Sequence, residues 1–398
     1  MEDRNLLGGL KVLEIAQLIA GPMSGSFLAD LGAEVIHLED PKLGDPQRVT
    51  GVMKDGKGLW WKVSARNKRC VTCDLRSEEG RAVARRLAQR ADVVITNFRI
   101  GTLEKWKLDW TALHHENPKL IMLQMTGFGA NTTLRNSPGF GKLGEAMSGV
   151  VQITGWPDGP PVHTGFSHAD SVSGLMGAYA VMAANYKRQN DPEFEGELID
   201  LALFETLYRL IEWQVITYDQ TGQVPTRAGN RLSVSPAAVI NTYLSRDEHW
   251  ITVTSGTPRS VQKIAALVGE PAGDYDTVEK QRARADRLDN LLRTWIGSVH
   301  IDEALAAMAE AEVVASKIYT VEDILADQTY AERGDVITVD DEDFGTVRMQ
   351  GVIPKLVNYP GQVWRGGPGL GEDNELVYKK LMGMPDEEYD RLRSAGAI

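Results

Sequence analysis

Apolar and polar positions in the first 130 residues fall into two alternating patterns. KVLEIA (11–16), AEVIHLED (33–40), RCVTCDL (69–75), DVVITNF (92–98) and KLIMLQMTG (119–127) are short runs with most positions apolar. Such runs suit strands covered on both faces. Between them lie AGPMSGSFLADLG, SEEGRAVARRLAQRA and the stretch around LDWTALHHENP. These predict helices. Successive strand–helix–strand units of this length predict an α/β fold with a parallel sheet and helices on its faces. Ligands in such sheets bind beyond the carboxyl ends of the strands, which points to the turns at 20–22, 39–41, 74–76 and 97–101.

Further along, 165–189 predicts a glycine- and alanine-rich helix, followed by a strand at ELIDLAL and a long amphipathic helix ending near Gly222. TRAGNRLSVSPAA is loop-like, and TYLSRDEHWITVTSG reads as a hairpin turning at 246–248. Helical segments follow from about 259 to 311. From about 335 the chain returns to short strands with Gly/Pro turns and then the helical GEDNELVYKKL. A chain of 398 residues suits two domains at roughly 100–200 residues each, or one large domain with an insertion. The change of composition after Gly222 looks like the start of a second, smaller domain.

Composition narrows the function classes. With 42% hydrophobic and 25% charged residues the chain is of ordinary globular type. Its net charge of −12, without basic tracts, argues against a general nucleic-acid binder, although a local basic cluster could hold an anionic ligand. The start MEDRNLLGG has neither the basic nor the apolar region of a secretory signal, and the nearly apolar stretch 172–184 is too short to span a bilayer. Two cysteines cannot build a disulfide framework, so the expected location is the cytoplasm. Cys70 and Cys73 form a lone CxxC inside a strand-like run. Positions i and i+3 of a strand face opposite ways, so the pair reads as incidental rather than as a zinc or redox site.

Several catalytic patterns can be set aside. Gly139, Gly141 and Gly144 match G-x-G-x-x-G, but Asn136-Ser-Pro138 precedes them where a strand must run directly into the first glycine. The seven histidines form neither an HExxH nor a Cys/His cluster, so no metal site is expected, and no G-x-S-x-G elbow is present. Asp170 stands out. It opens a helix rich in small residues (Gly174, Gly177, Ala178, Ala180), where the helix dipole favours an ionised carboxylate able to act as a nucleophile. A helix-capping role is the competing reading. Lys68, Arg69, Arg76, Arg99 and Lys105 lie in or near the ligand-facing turns and could hold phosphates.

Taken in order, GLKVLEIAQLIAGPMSGSFLADLGAEVIHLEDPKLGDPQR, NKRCVTCDLRSEEGR, ADVVITNFRIGTLEKWKLD, GFSHADSVSGLMGAYAVMAA, the GNR at 229–231 and PGLGEDNELVYKKLMGMPDEEYDRLRSAGAI resemble the class III CoA-transferases, the CaiB/BaiF family. The resemblance spans nearly the whole chain. It implies a Rossmann-like large domain formed by both chain ends (1–225, completed by a return segment 331–398), a smaller α+β domain inserted between them (226–330), and an interlocked homodimer. It places the nucleophile on Asp170 and contacts to coenzyme A on Cys73, Asp74, Leu75, Arg76, Asn97, Phe98, Arg99 and Lys105. Glu145, where Gln is common, becomes a candidate support residue. The implied substrates are an acyl-CoA and a small carboxylic acid, with no prosthetic group. Racemases of the family carry a His-Asp pair where this chain has Phe140 and Gly141, which favours transferase over racemase. TSGTPRS stands where formyl-CoA transferases have a run of glycines, which argues against oxalate or formate as the acid. PGFGKLGEAMSG resembles members that act on succinate, mesaconate or malate. An acyl-CoA racemase or epimerase, or a catalytically silent CoA-binding protein, are the alternatives.

Overall fold

The computed structural model describes residues 5–232, 235, 237 and 239–398. Residues 1–4 of the leading stretch, and 233, 234, 236 and 238 of the expected loop, lie outside the described residues. By its internal contacts the chain divides into two compact units. One contains residues 1–148, 164–211 and 328–398; the other contains 149–163 and 212–327. The chain thus leaves the first unit at 211 rather than at 225, and 149–163 belongs with the second.

The first unit is built on six parallel strands: β1 (Lys11–Ile15), β2 (Glu34–Glu39), β3 (Arg69–Thr72), β4 (Val93–Thr96), β5 (Ile121–Thr126) and β6 (Glu197–Ala202). Their order across the sheet is β3-β2-β1-β4-β5-β6. This is the doubly wound 3-2-1-4-5-6 order, whose direction reverses between β1 and β4. The apolar runs are explained by burial on both faces. Val12, Val93 and Ile95 face one core with α1 (Ala20–Asp30), whereas Leu13, Ile15 and Val94 face the other with α2 (Glu78–Ala88). A short helix, α3 (Trp110–Glu116), precedes β5.

Past β5 come α4 (Gly141–Ser148) and the long α5 (His168–Asn190). The small residues of α5 let α1 approach. A Cβ on Gly174 would stand 2.8 Å from Met23 Cβ, and one on Gly177 would stand 2.6 Å from Ser24 Oγ. The amphipathic stretch after β6 is two helices rather than one, α6 (Leu203–Leu210) and α7 (Trp213–Thr221). The break at Ile211 coincides with the exit from the first unit, and neither Gly nor Pro marks it. Gly222, at φ +68°, caps α7 in the left-handed conformation that glycine adopts without strain.

Residues 328–398 complete the first unit by covering edge strand β3. Asp373 Oδ2 accepts the Cys70 N–H at 2.8 Å, Asn374 Oδ1 accepts the Thr72 N–H at 2.9 Å, and Tyr378 OH donates to Thr72 O at 2.7 Å. Side chains thereby satisfy an edge that would otherwise offer itself to another chain. The predicted helix at GEDNELVYKKL is a π-helical turn over Glu375–Leu381.

In the second unit the predicted hairpin forms from β7 (Val239–Leu244) and β8 (Trp250–Ser255), with β9 (Ala315–Lys317) alongside. Helices α8 (Pro258–Leu267), α9 (Val278–Ser298) and α10 (Ile301–Glu310) pack their apolar faces on it. Arg231 of the GNR motif ion-pairs with Asp286 and Asp289, so its charge is spent within this unit.

Candidate active site

Four strand ends of the first unit surround a cleft of about 170 Å³. It is lined by Ala16 and Gln17 after β1, by Asp40 and Asp45 after β2, by Cys73, Asp74, Leu75 and Arg76 after β3, and by Phe98 and Trp106 after β4. The position beside the reversal of strand order is where doubly wound sheets place ligands. Of the turns expected from sequence, the first is displaced. Residues 20–22 already form the opening turn of α1, and the cleft is reached instead by 16–17.

The eight residues expected to meet coenzyme A divide accordingly. Five of them, Cys73, Asp74, Leu75, Arg76 and Phe98, line the cleft. Arg76 is exposed and ion-pairs with Asp74 at 2.8 Å and Asp40 at 2.6 Å, so a phosphate would have to compete with two carboxylates for it. Burial pushes the Cys73 thiol up to about 12, and its Sγ donates to Gly80 O at 3.1 Å. The thiol is therefore a neutral wall and not a nucleophile. Phe98 meets Trp106 edge to face at 5.2 Å, which makes an aromatic side to the cleft. Asn97 lies behind it, with its amide accepting from Gln17 N at 2.9 Å and donating to Gln17 O at 2.7 Å. Arg99 and Lys105 are exposed outside the lining. Lys68 and Arg69 are not ligand-facing: Lys68 is buried against Glu14, and Arg69 lies 3.8 Å from Glu34. A contact without a local sequence signal pins the 73–76 turn, since Asp74 N–H donates to Ala397 O at 2.9 Å.

Asp170 occupies the third position of α5. Ser167 is the cap residue, so the capping reading does not hold. Glu145 of α4 serves the helix end instead, with its Oε1 accepting the His168 N–H at 3.2 Å. Lys142 Nζ donates to both Glu145 oxygens at 3.0 and 3.1 Å and to the carbonyls of Thr164 and Phe166 at 2.8 and 3.0 Å. The lysine thereby ties the approach to α5 onto α4. The three glycines of the rejected dinucleotide motif all serve close packing. A Cβ on Gly139 would lie 2.8 Å from Gly127 Cα, one on Gly144 would lie 3.1 Å from Leu203 Cβ, and one on Gly141 would lie 2.0 Å from Asp170 Oδ2.

The Asp170 carboxylate thus lies against the first residue of α4 while standing in the first turn of α5, so the positive ends of two helices face it. It makes no hydrogen bond to a side chain or backbone group among the described residues. The dipoles do not prevail, however. Burial, and then the charge of Glu145, push Asp170 up to about 6, with Lys142 opposing them. The group is still mostly ionised at neutral pH, and more basic than an ordinary aspartate. Glu145→Gln removes the neighbouring charge and is expected to move Asp170 back toward 3.8. An activity that requires ionised Asp170 should then keep its acid limb, but at lower pH. A limb that stays put in a pH–rate profile would show that Glu145 does not tune it.

The cleft and Asp170 are linked through the turn after β1. Ala16 and Gln17 face the cleft, and a few residues on Ala20 O lies 3.2 Å from the position of a Cβ on Gly174, one helical turn beyond Asp170. No described helix is long and apolar enough to cross a membrane.

The first unit thus combines a doubly wound sheet, a cleft at its reversal point and a half-buried carboxylate with no hydrogen-bond partner among the described residues. The chain belongs to CoA-transferase family III, whose sequence profile matches residues 7–374. It is 37% identical over 398 residues to a succinyl-CoA–D-citramalate CoA-transferase of Chloroflexus aurantiacus, with 98% of each chain covered. It is 32% identical to a succinate–glutarate CoA-transferase of Agrobacterium fabrum, covering 94% of this chain and 95% of that one. The crystal structure of a CAIB/BAIF family protein from Brucella suis superposes with a TM-score of 0.84 at 31% identity, covering 95% of this chain and all of that one.

Proposed function

We propose that the protein moves coenzyme A from a dicarboxylic acyl-CoA such as succinyl-CoA to a second small carboxylic acid, with Asp170 as the nucleophile. The observation that carries this reading is the Asp170 carboxylate itself, without a hydrogen-bond partner among the described residues, raised to about 6 and set beside Gly141. The names of the relatives support a dicarboxylic donor and acceptor, since citramalate and glutarate are both dicarboxylates.

The steps need no redox partner. The Asp170 carboxylate attacks the thioester carbonyl, the C–S bond breaks, and an aspartyl–acyl anhydride forms with release of CoA thiolate. The thiolate attacks the aspartyl carbonyl of the anhydride, giving an aspartyl-CoA thioester and the donor acid as its carboxylate. The acceptor carboxylate then attacks this thioester, and the displaced thiolate attacks the acceptor's acyl carbon, leaving as the new acyl-CoA and restoring Asp170. The thioester's energy stays in covalent form throughout, which requires that water be kept from both intermediates. On this reading the cleft holds the nucleotide end of coenzyme A against Leu75, Arg76 and Phe98. Arg99 and Lys105, exposed outside the lining, act at the outer phosphates. Positions 140 and 141, Phe and Gly, offer no base for moving an α-proton, so the same site is ill suited to racemisation. Leu175, Tyr179 and Tyr186 form an exposed apolar stripe on α5, opposite its buried face, and this supports assembly with a second copy.

Intact-mass spectrometry after brief incubation with succinyl-CoA should show a covalent adduct, mapped to Asp170 by peptide analysis and removed by hydroxylamine. No adduct with any of a panel of dicarboxylic acyl-CoAs, but deuterium uptake at the α-carbon, would replace this reading with a racemase.

A further inference from the structure

The turn that connects the cleft to the Asp170 helix has open space on two sides. Ala16 and Gln17 face the cleft, while Leu18 and Ile19 face a separate apolar cavity of about 450 Å³ that also meets Met23, Phe27, Trp60 and Ile353. Leu18 holds a left-handed backbone at φ +63°, which is costly for a residue with a side chain and persists only where its surroundings impose it. Packing alone does not supply that constraint.

Four ionisable side chains from different parts of the fold do. Lys68, just before β3, donates from Nζ to Pro22 O at 2.6 Å and to both oxygens of Glu14 at 3.0 Å. Glu14 Oε1 lies 2.5 Å from His37 Nδ1, and His37 Nε2 lies 3.3 Å from Asp45 Oδ2. Asp45 in turn accepts the Leu18 N–H at 3.0 and 3.2 Å, and the Gln47 N–H at 2.7 Å. The series begins at Pro22 and ends at Leu18, so it grips both ends of one five-residue turn. All four side chains are buried, with Glu14, His37 and Lys68 no more than 1% exposed. Gly25 of α1 completes the enclosure, because a Cβ there would stand 1.9 Å from Glu14 Oε2.

We propose that Lys68, Glu14, His37 and Asp45 form an ionic clamp whose function is to position the 18–22 turn between the coenzyme A cleft and the Asp170 helix, with His37 at its centre. The functional half of this inference rests on the transferase reading; the clamp itself does not. With His37 protonated the four charges cancel, and with it neutral two buried carboxylates share one lysine. The groups facing His37 are Glu14 on β1, Asp45 after β2, Lys68 before β3, the Cys70 thiol beside it in the sheet register, and the Trp61 ring at 5.9 Å. Burial disfavours the imidazolium, but Glu14 and Asp45 outweigh that and hold it up to about 9. Because this value is raised, the clamp is fully charged below the ordinary histidine range and is lost as pH climbs through about 9.

Two readings test it in the full-length protein. Hydrogen–deuterium exchange of His37→Gln and Asp45→Asn should show faster exchange confined to peptides covering 16–22, while α2 and α10 exchange as in wild type. Steady-state transfer with succinyl-CoA should show KM for the acyl-CoA raised about tenfold or more in His37→Gln, with kcat changed less. The alkaline limb near pH 9 should be absent in that variant, and His37→Lys should restore part of the affinity. Unchanged exchange over 16–22 in both variants would overturn the clamp. Loosened exchange with unaltered KM, kcat and alkaline limb would overturn its positioning role. Loosened exchange in a protein whose wild type binds no coenzyme A would support the clamp and locate the failure in the transferase reading.

Discussion

Asp170→Asn is expected to abolish transfer and, at the same time, to make the fold more stable. The two effects have one origin. Burial and the charge of Glu145 raise Asp170 from 3.8 to about 6, so the folded protein holds an ionised group that it would rather keep neutral. The unfolded chain has no such preference. Stability contributed by the protonated carboxyl is present below about pH 4 and is lost as pH rises through 6, and at pH 7.5 the whole penalty is in force. A shift of this size corresponds to about 3 kcal/mol, and solvent access to the site reduces what is realised to roughly 1–2 kcal/mol. An isosteric amide removes the charge while keeping the shape, so thermal unfolding should move up by a few degrees at pH 7.5 and hardly at all at pH 4. On the proposed mechanism turnover should fall by about 10⁴-fold or more, since an amide cannot form the anhydride. A purely structural Asp170, favourably placed on the helix dipole, predicts the reverse: lower stability at pH 7.5, with activity reduced only in proportion to folding. Paired melting curves and rates at the two pH values separate these cases.

Asp170 could be singled out from sequence because a carboxylate opening a helix of Gly and Ala is a local pattern, and the order of motifs around it carried the family. The six-stranded sheet was legible for a related reason. Strands covered on both faces must be apolar at nearly every position, and Val12, Leu13, Val93 and Val94 satisfy both cores in turn. What the sequence concealed were contacts between distant residues. Nothing near 73–76 announces that Ala397 O will hold Asp74, and nothing near Ile211 shows that a continuous amphipathic pattern will break where the chain changes unit. A charge beside a strand reads as solvent-facing, which hides Lys68, although its partner is visible in the sequence: Glu14 stands in the apolar run KVLEIA, where an acidic residue requires a buried cation. His37, in AEVIHLED, carried the same signal. Asp170 does stand at a helix N-terminus, but the dipole does not decide the carboxyl's basicity, because burial raises it and a second acid arrives from 25 residues earlier in the chain.

Gly141→Ala is expected to slow turnover far more than it weakens the fold. Gly141 does not lie at positive φ, so alanine fits its backbone and, at the start of a helix, would ordinarily stabilise by about 0.4–1 kcal/mol. The obstacle is the new Cβ, which would stand 2.0 Å from Asp170 Oδ2 and 2.7 Å from its Cγ. One of the two must move by more than 1 Å. Either the carboxylate swings to another rotamer or the opening turn of α4 withdraws. The second course strains the Glu145 and Lys142 contacts that tie α4 to the entry of α5. Overpacking of this kind costs about 1–3 kcal/mol, only partly offset by the backbone gain, so the variant should fold and melt within a few degrees of wild type. Displacing a nucleophile by 1 Å costs about 10²-fold in rate, and a methyl against the attacking oxygen also takes up space that the anhydride needs, so kcat should fall by roughly 10²–10³-fold. Gly139→Ala provides the contrast: its Cβ would meet Gly127 Cα at 2.8 Å, with no reacting atom among its nearest neighbours, so stability should suffer more than the chemical step. If Gly141→Ala retained full kcat while binding coenzyme A normally, the attacking carboxylate would have to lie elsewhere than the position that Asp170 occupies against α4.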